Sequence, residues 1–169
     1  LSDMLAQAKV IGSWGSNVNV KIPVTNTKGK FTGPIIRELS ATGVKLNITA
    51  VFTLKQVRSI AENLFLDTPA IISVFAGRIA DTGLDPLPLM RESVEILNDL
   101  PKAELLWASP RELLNIIQAD EVCCDIITAT PDILGKLKFL GKDQDEFSLE
   151  TVQMFYNDAQ AAGYTIKIT

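Results

Sequence analysis

Short apolar runs rich in β-branched residues alternate with amphipathic segments along the whole chain. The runs predict β-strands, and the segments between them have the apolar spacing of α-helices. The predicted strands are residues 18–24, 45–52, 70–76, 104–108 and 125–129. The predicted helices are residues 3–11, 33–42, 53–64, 87–97, 110–118 and 148–163, with another opening at Pro131. This alternation indicates an α/β protein with a parallel sheet.

One face of the predicted strands repeatedly carries polar side chains. Because successive side chains point to opposite faces of a strand, Asn47, Thr49 and Val51 share one face of the second strand. A doubly wound, flavodoxin-type sheet is covered by helices on both faces, so its strands are apolar almost throughout. A (β/α) barrel has room for polar groups on its inner face, next to the active site. The pattern therefore favours a barrel.

Lys21 interrupts a run, residues 18–24, that otherwise predicts a buried strand. It lies on the strand face opposite the apolar side chains. If both faces are covered, the side chain loses water, which favours its neutral amine, a nucleophile for carbonyl carbon. This interpretation predicts a Schiff-base lysine. The alternative is a lysine on an edge strand, where it keeps its charge in solvent and hinders aggregation.

The composition limits the available chemistry. The chain has 169 residues, of which 47% are hydrophobic and 21% charged, so we expect residues 1–169 to form a single domain, an incomplete barrel. Its net charge of −4 and its scattered basic residues argue against a nucleic-acid partner. It contains no histidine, which excludes Ser-His and Cys-His catalysis and most zinc sites. Any chemistry must use Lys, Asp, Glu, Tyr, Ser, Thr or Cys.

The cysteines and the hydropathy pattern predict a cytoplasmic protein. Cys123 and Cys124 are neighbours in the sequence, so reduced thiols are expected rather than a disulfide. No apolar run approaches the roughly 20 residues that a membrane helix needs. No basic and then apolar leader opens the sequence. We therefore expect no membrane partner.

Four short motifs follow one another along the chain. They are Lys21-Ile22-Pro23, Asn47-Ile48-Thr49, Ser73-Val74-Phe75-Ala76-Gly77-Arg78 and Ala108-Ser109-Pro110-Arg111. In this order and spacing they resemble the transaldolase family, whose patterns are K-[IV]-P, N-[LIV]-T, S-x-[FY]-x-G-R and A-S-x-R. Asp125-Ile126-Ile127-Thr128, followed by Pro131, is similar to the last strand of that family. The resemblance covers nearly the whole chain.

The resemblance implies a (β/α)₈ TIM barrel that lacks its first three strands. In the family, a lysine on the fourth strand attacks a ketose phosphate. If Lys21 is that lysine, the chain holds strands 4–8. The aspartate on the family's first strand and the glutamate on its third serve as acid/base and as the group that positions the catalytic water. Neither has a counterpart in this sequence, so we expect the C-terminal part of a transaldolase.

The resemblance also implies roles for residues of the first three motifs. Lys21 is expected to be catalytic and to form a Schiff base with C2 of a sugar phosphate. Thr49 and Asn47 share a face of the next strand, so they can bind the water that shuttles protons and the dihydroxyacetone hydroxyls. The alternative is a polar pair that satisfies only itself. Ser73 either adds a hydroxyl contact to the substrate or packs in the core.

Arg78 and Arg111 follow the ends of the third and fourth predicted strands, where barrel active sites lie. Arginine binds phosphate in a bidentate way, so both are expected to bind the substrate phosphate. The alternative is that they are solvated surface charges. Phe75 stands where the transferase branch of the family tends to have Phe and the aldolase branch Tyr, so it favours transfer or simply lines the pocket. The acidic residues that we expect to form only a solvated rim are Asp81, Asp85 and Glu92.

The resulting hypothesis is a transaldolase of the pentose phosphate pathway, which transfers a dihydroxyacetone unit between sugar phosphates without metal or cofactor. One alternative is a fructose-6-phosphate-type aldolase, which releases dihydroxyacetone. Another is a catalytically inactive fragment that binds sugar phosphate. Because five barrel strands leave two open edges, we expect the isolated chain to be poorly soluble or complemented by a partner. The apolar residues of the last helix leave a homo-oligomer open.

Overall fold

Five parallel strands form one sheet. The strands are β1 (Val20–Pro23), β2 (Leu46–Val51), β3 (Ala70–Val74), β4 (Ala103–Trp107) and β5 (Ile126–Ile127). The helices are α1 (Ser2–Gly12), α2 (Gly33–Ala41), α3 (Leu54–Ala61), α4 (Ala76–Ala80), α5 (Leu87–Leu97), α6 (Leu114–Glu121), α7 (Pro131–Gly135) and α8 (Gln144–Ala161), with a 3₁₀ helix at Lys136–Phe139. The structure, a computed structural model, describes residues 1–168. Within that range, every helix is too short or too polar to cross a membrane.

Each strand pairs in parallel with the next strand along the sequence, and at least one helix connects them. A doubly wound sheet contains a switch point at which the strand order reverses. The order β1-β2-β3-β4-β5 contains no such point. The chain therefore has the α/β, TIM-barrel-type fold that the sequence predicts. Within residues 1–168, β1 and β5 each pair with a single neighbour, which is compatible with a truncated barrel.

The hydrophobic core lies between the sheet and the helices that cover one of its faces. Ile22, Ile48 and Ile72 occupy matching positions on three neighbouring strands, and each is at most 3% exposed. Trp107 on β4 is fully buried in the same core. Burying one such side chain stabilises the fold by about 1.5–3 kcal/mol. Because Ile22, Ile48 and Ile72 point into this core, the side chains that alternate with them along the strands point to the opposite face of the sheet.

Strand β2 departs from strict alternation after Thr49. Its pairing with β3 shifts register between Ile48 and Val51, and Ala50 adopts a φ of +60°. A bulge of this kind inserts one extra residue and changes the face on which the following side chains lie. Val51, predicted to share a face with Thr49, is instead fully buried and pairs with Val74. The prediction for Val51 is wrong because periodicity alone does not register an inserted residue.

The helix bounds agree with prediction for α5 and differ around β4. The short helix α4 is not predicted from the sequence. The helix predicted over residues 110–118 begins later, at Leu114. Its delay has a local cause, since the Asn115 side chain accepts the backbone N–H groups of Arg111 and Glu112 at 2.7 and 3.1 Å. These hydrogen bonds hold the segment before α6 outside the helix.

The chain divides into two compact units, Leu1–Leu134 and Gly135–Thr169. The second unit contains the 3₁₀ helix and α8. Helix α8 begins at Gln144, before the predicted start at residue 148, because the Asp143 carboxylate accepts the backbone N–H of Glu146 at 2.9 Å. An acidic side chain in this position satisfies a helix N–H group that has no partner within the helix. The predicted start of this helix is therefore wrong.

Candidate active site

A cleft of about 190 Å³ lies at the carboxyl ends of the strands. Parallel strands all end at the same edge of a sheet, and in barrels that edge carries the active site. Residues of every strand or strand end contribute to the cleft. Its lining residues are Lys21, Asn47, Thr49, Ser73, Phe75, Leu106, Ala108, Ser109 and Thr128. The structure thus brings the predicted residues of the first three strands together, while Arg78 and Arg111 lie outside the lining.

Lys21 reaches this cleft from β1 and is exposed to solvent. It pairs in register with Asn47 on β2, so the two side chains are neighbours on the cleft face. The loss of water expected on a strand covered on both faces is not found for Lys21, because β1 is an edge strand within residues 1–168 and the side chain is exposed. Lys21 also makes no ion pair with any described carboxylate. Its amine is therefore available to a ligand in the cleft.

Asn47 is held by the hydroxyl of Ser73. The Ser73 Oγ donates a hydrogen bond to Asn47 Oδ1 at 2.7 Å, and Ser73 is only 2% exposed. Because this bond occupies the amide oxygen, the Nδ2 group of Asn47 is the one left to donate to a ligand. The contact that the structure shows for Ser73 is thus one with Asn47, and the proposed contact between Ser73 and a substrate stays a prediction.

The hydroxyl of Thr49 is buried and has no hydrogen-bond partner in the described chain. An unsatisfied buried hydroxyl costs about 1–3 kcal/mol. The bulge at Ala50 follows directly, and both Thr49 and Ala50 are half-buried. A polar atom in this state on the wall of a cleft is suited to bind a water or a ligand. The alternative of an Asn47–Thr49 pair that satisfies itself is wrong, since Asn47 bonds Ser73 instead.

Phe75 forms an apolar wall of the cleft and connects it to Arg78. The Arg78 guanidinium carbon lies 5.2 Å from the centroid of the Phe75 ring, a cation–π contact. Phe75 also contacts Phe52, with ring centroids 5.6 Å apart. Arg78 is exposed, and within residues 1–168 it makes no ion pair. Its charge is therefore placed next to the cleft, with the aromatic ring between.

Arg111 is held by a carboxylate. Its Nε donates to Asp81 Oδ1 at 3.1 Å, and its Nη2 donates to Asp81 Oδ2 in the same bidentate pair. Both side chains are about half exposed, at 48% and 49%. Asp81 is thus a half-exposed residue whose two oxygens match the fork of Arg111, and its place on a solvated rim stays a prediction.

The structure explains why the third motif contains a glycine, Gly77. A Cβ atom at this position would lie 1.4 Å from the carbonyl oxygen of Ser109, so only glycine allows the two segments to approach. The Gly77 N–H also donates to the Ala108 carbonyl at 3.2 Å. Ser109 itself adopts a φ of +58°, which is unfavourable for a residue with a side chain. This contact joins the end of β3 to the end of β4 beside the cleft.

Sequence reasoning missed Ser109 and Thr128 as lining residues. Both lie within motifs that the sequence analysis identifies, immediately after β4 and β5. The same alternation that placed Asn47 and Ser73 also places Leu106 and Ala108 on the cleft face. A search of the residues that follow each strand would have found them, because strand ends form the active-site edge of a barrel.

The two cysteines lie away from the cleft. Neither Cys123 nor Cys124 lines it. The Cys124 thiol donates to the Leu105 carbonyl at 3.2 Å, and burial raises the pKa of Cys124 to about 11. A protonated thiol is a poor nucleophile and a poor metal ligand. Among residues 1–168, no group of three or more His, Cys, Asp or Glu side chains could hold a metal ion.

Sequential parallel strands with a polar cleft at their carboxyl ends define a barrel-type α/β protein with a candidate active site in the usual place for that fold. The sequence model of the Transaldolase/Fructose-6-phosphate aldolase family matches residues 1–167. The chain therefore belongs to this family, as the motifs predict.

Individual relatives carry names from the same family. A probable transaldolase of Nitrosopumilus maritimus is 29% identical over 169 residues, which cover 99% of this chain and 72% of that protein. A probable transaldolase 2 of Listeria monocytogenes is 32% identical over 135 residues, covering 79% of this chain and 58% of the relative. A probable transaldolase of Dehalococcoides mccartyi is 34% identical over 137 residues, covering 80% of this chain and 60% of the relative. In two of these three matches, less than two thirds of the relative is covered.

Proposed function

We propose that the cleft binds a ketose phosphate and that Lys21 forms a Schiff base with it, so that the protein transfers a dihydroxyacetone unit between sugar phosphates. The observation that carries this proposal is the meeting of Lys21, Asn47 and the unpartnered hydroxyl of Thr49 in one cleft. An amine, an amide donor and a hydroxyl that needs a partner suit a substrate with a carbonyl group and neighbouring hydroxyls.

The proposed reaction begins when the neutral Nζ of Lys21 attacks C2 of the ketose, and the carbonyl oxygen takes up a proton. Loss of water from this carbinolamine gives an iminium ion. A base then removes the proton of the C4 hydroxyl, the C3–C4 bond breaks, and its electron pair flows into the iminium to leave an enamine. The fragment that begins at C4 leaves as an aldose phosphate, with C4 as its aldehyde carbon. The enamine attacks the aldehyde carbon of an acceptor aldose phosphate. Hydrolysis of the new iminium releases the product and frees Lys21.

Other residues bind and orient the substrate in this proposal. Asn47 Nδ2 donates to a hydroxyl of the three-carbon unit, because its oxygen already accepts from Ser73. Thr49 Oγ1 binds the water that passes protons between the substrate atoms. Arg78 and Arg111 bind the phosphate at the carboxyl ends of the strands. The apolar wall formed by Phe75 cannot give a proton to the enamine, which favours transfer over release.

A catalytically inactive sugar-phosphate-binding protein is the second candidate. One observation favours it, since the lining of the cleft within residues 1–168 contains no Asp or Glu. Proton transfers then depend on water held by Thr49, which is a weaker arrangement than a carboxylate at the same place. This candidate predicts binding of sugar phosphate without turnover. An aldolase that releases dihydroxyacetone is distinguished by product analysis with and without an acceptor aldose phosphate.

Borohydride trapping tests the Schiff base directly. The 169-residue chain is incubated with fructose 6-phosphate, reduced with borohydride and digested for peptide mass spectrometry. We expect a three-carbon or six-carbon adduct on Lys21 and none in a Lys21→Met variant. Lys45 is the matched control, because its Nζ donates to the Ser16 carbonyl at 2.8 Å and it lies outside the cleft. Lys45→Met should keep the labelling; an unlabelled Lys21 in the folded chain contradicts the proposal.

We also propose that the protein works in the cytoplasm, a reducing compartment. Cys123 and Cys124 are both free thiols, which supports a compartment in which disulfides do not persist.

Self-assembly is a separate proposal, and it concerns the exposed face of α8. Leu149, Val152 and Phe155 of this helix are each more than half exposed. Exposed apolar surface of this kind supports a homo-oligomer. Sedimentation of the wild-type chain and of a Phe155→Glu variant tests that proposal.

A further inference from the structure

The bidentate pair of Asp81 and Arg111 joins two segments that follow neighbouring strands. Asp81 ends α4, after β3, and Arg111 lies between β4 and α6. We propose that Asp81 is a positioning residue, which orients the guanidinium of Arg111 to bind the phosphate of the substrate. This inference rests on the proposed function and assigns to Asp81 a part in substrate specificity.

The geometry of the guanidinium supports this role. Arginine has five N–H groups, and Asp81 accepts one from Nε and one from Nη2. Three donors remain, two on Nη1 and one on Nη2, and no hydrogen bond within residues 1–168 uses them. The end of the fork therefore stays free while its Nε edge is held. A planar guanidinium fixed on one edge presents its other donors in a fixed direction, which saves conformational entropy when an anion binds.

Asp81 and Arg111 are each held in place by a hydrogen bond from their own backbone N–H group. The Asp81 N–H donates to the Gly77 carbonyl at 3.0 Å, and the Arg111 N–H donates to the Asn115 side chain at 2.7 Å. Gly77 in turn packs against Ser109, which lines the cleft. The pair is therefore attached to the cleft through a rigid contact between the ends of β3 and β4, and it lies at the active-site edge of the sheet.

Stability alone does not account for the pair. Asp81 and Arg111 are about half exposed, and ion pairs in that setting contribute little to folding. The neighbouring cation, Arg78, makes no ion pair within the described residues and rests on Phe75. Arg78 is thus stacked on an aromatic ring, and Arg111 is oriented by a carboxylate. A dianion such as a phosphate monoester can use both, whereas an uncharged ketone needs neither.

Binding of a phosphate monoester to the 169-residue chain tests the role of Asp81 without requiring turnover. Glycerol 3-phosphate is the probe, and the Nε–Hε resonance of Arg111 in two-dimensional NMR is the reporter. We expect Asp81→Asn to weaken binding of glycerol 3-phosphate by about 5-fold, since one neutral amide replaces a bidentate charged acceptor. Asp81→Glu, which keeps the carboxylate, should restore at least part of the affinity.

Asp85→Asn is the matched control for the change in net charge. Asp85 lies in the same segment, but its Oδ1 accepts the Leu87 N–H at 2.9 Å, and an asparagine can still accept that bond. It should leave the affinity for glycerol 3-phosphate within about 2-fold of the wild type. Adduct formation at Lys21 with unphosphorylated dihydroxyacetone should be unchanged in Asp81→Asn, because this ketone carries no anion.

The outcomes separate this inference from the proposed function. Unchanged or tighter binding of glycerol 3-phosphate by Asp81→Asn overturns the positioning role, even if Lys21 is still trapped by fructose 6-phosphate. An equal loss of phosphate binding and of dihydroxyacetone labelling indicates a structural defect and also overturns it. Absence of any Lys21 adduct in the wild type refutes the Schiff-base proposal, while a selective loss of glycerol 3-phosphate binding in Asp81→Asn still supports the anion site.

Discussion

Thr49 carries a buried hydroxyl with no hydrogen-bond partner among residues 1–168, although the strand would be more stable with an apolar side chain of the same shape. Such a group persists where a ligand needs it, and it lies in the same cleft as Lys21. The cost of the buried hydroxyl and its proposed role in proton transfer therefore have opposite effects on stability and function.

Replacing Thr49 by valine should raise the free energy of unfolding by about 1 kcal/mol, because the unsatisfied hydroxyl is removed with little change in shape. Adduct formation at Lys21 should slow at the same time. Chemical denaturation and borohydride trapping measure the two effects. Thr68→Val is the control, since Thr68 is buried and donates to the Ser40 carbonyl at 2.7 Å. It should lose about 1 kcal/mol; a destabilised Thr49→Val would contradict the assignment.

The buried thiol of Cys124 makes the free energy of unfolding depend on pH in the alkaline range. Burial raises the pKa of the Cys124 thiol from 9.0 to about 11. Between these values the unfolded chain loses the thiol proton and the folded chain keeps it, so the unfolded state binds fewer protons and stability falls as the pH rises. Below pH 9 the thiol is protonated in both states, and the contribution is fully present.

The free energy of unfolding should therefore fall by about 2 kcal/mol more in the wild type than in a Cys124→Ala variant between pH 9 and 11. Urea denaturation at a series of pH values measures this difference. Cys123→Ser is the control, because Cys123 is exposed and the slope should stay as in the wild type. Parallel curves for the wild type and Cys124→Ala would show that the thiol is not buried as described.

At the scale of the elements, the ends of β3 and β4 depend on one close backbone approach. A Cβ at Gly77 would lie 1.4 Å from the Ser109 carbonyl oxygen, a backbone atom that cannot turn away as a side chain could. The segment that carries Ser109 would have to shift, and with it the cleft wall that Ser109 and Ala108 form.

We expect Gly77→Ala to lower the free energy of unfolding by about 3 kcal/mol, at the upper end of the cost of overpacking. Labelling of Lys21 should also fall in the fraction that stays folded, because the cleft is deformed. Gly135→Ala is the matched control: nothing lies within 4 Å of its added Cβ, and its φ is −59°. That variant should gain about 0.5 kcal/mol. Equal behaviour of the two variants would refute the close approach.

Strand β2 shows how a local irregularity directs a side chain. The bulge between Ile48 and Val51 lets Thr49 remain on the cleft side while Val51 joins the core. Ala50 adopts a positive φ of +60° to make this possible. Bulges near active sites commonly redirect a side chain in this way.

At the scale of the whole molecule, the sheet formed by residues 1–168 ends in two strands that each have one neighbour. Unpaired strand edges promote association with other chains. Strand β1 counters this in part, since Lys21 and Pro23 are exposed on it and proline offers no N–H. Strand β5 has only two residues, Ile126 and Ile127, and both are half-buried.

The isolated 169-residue chain is therefore expected to self-associate or to be poorly soluble. Its solubility should improve when a partner covers the sheet edges. Sedimentation velocity over a range of protein concentrations and thermal melting measure this. A growing sedimentation coefficient and a broad, irreversible melt are the expected results. A stable monomer with a cooperative, reversible melt would contradict the expectation.

The sequence by itself determined the order of the elements and the face on which most site residues lie. Period-two alternation is a property of the backbone, so Lys21, Asn47 and Ser73 could be assigned to one face before any packing was known. The motifs also determined the family, because short patterns in a fixed order depend on sequence alone. A parallel sheet with sequential order then brought these side chains to one edge.

Only the tertiary structure decided what those side chains contact. The exposure of Lys21 depends on whether a strand covers β1, and the bond from Ser73 to Asn47 depends on the distance between two strands. The pairing of Arg111 with Asp81 likewise joins residues 30 positions apart. These contacts follow from packing between distant segments, which local propensity and periodicity do not encode.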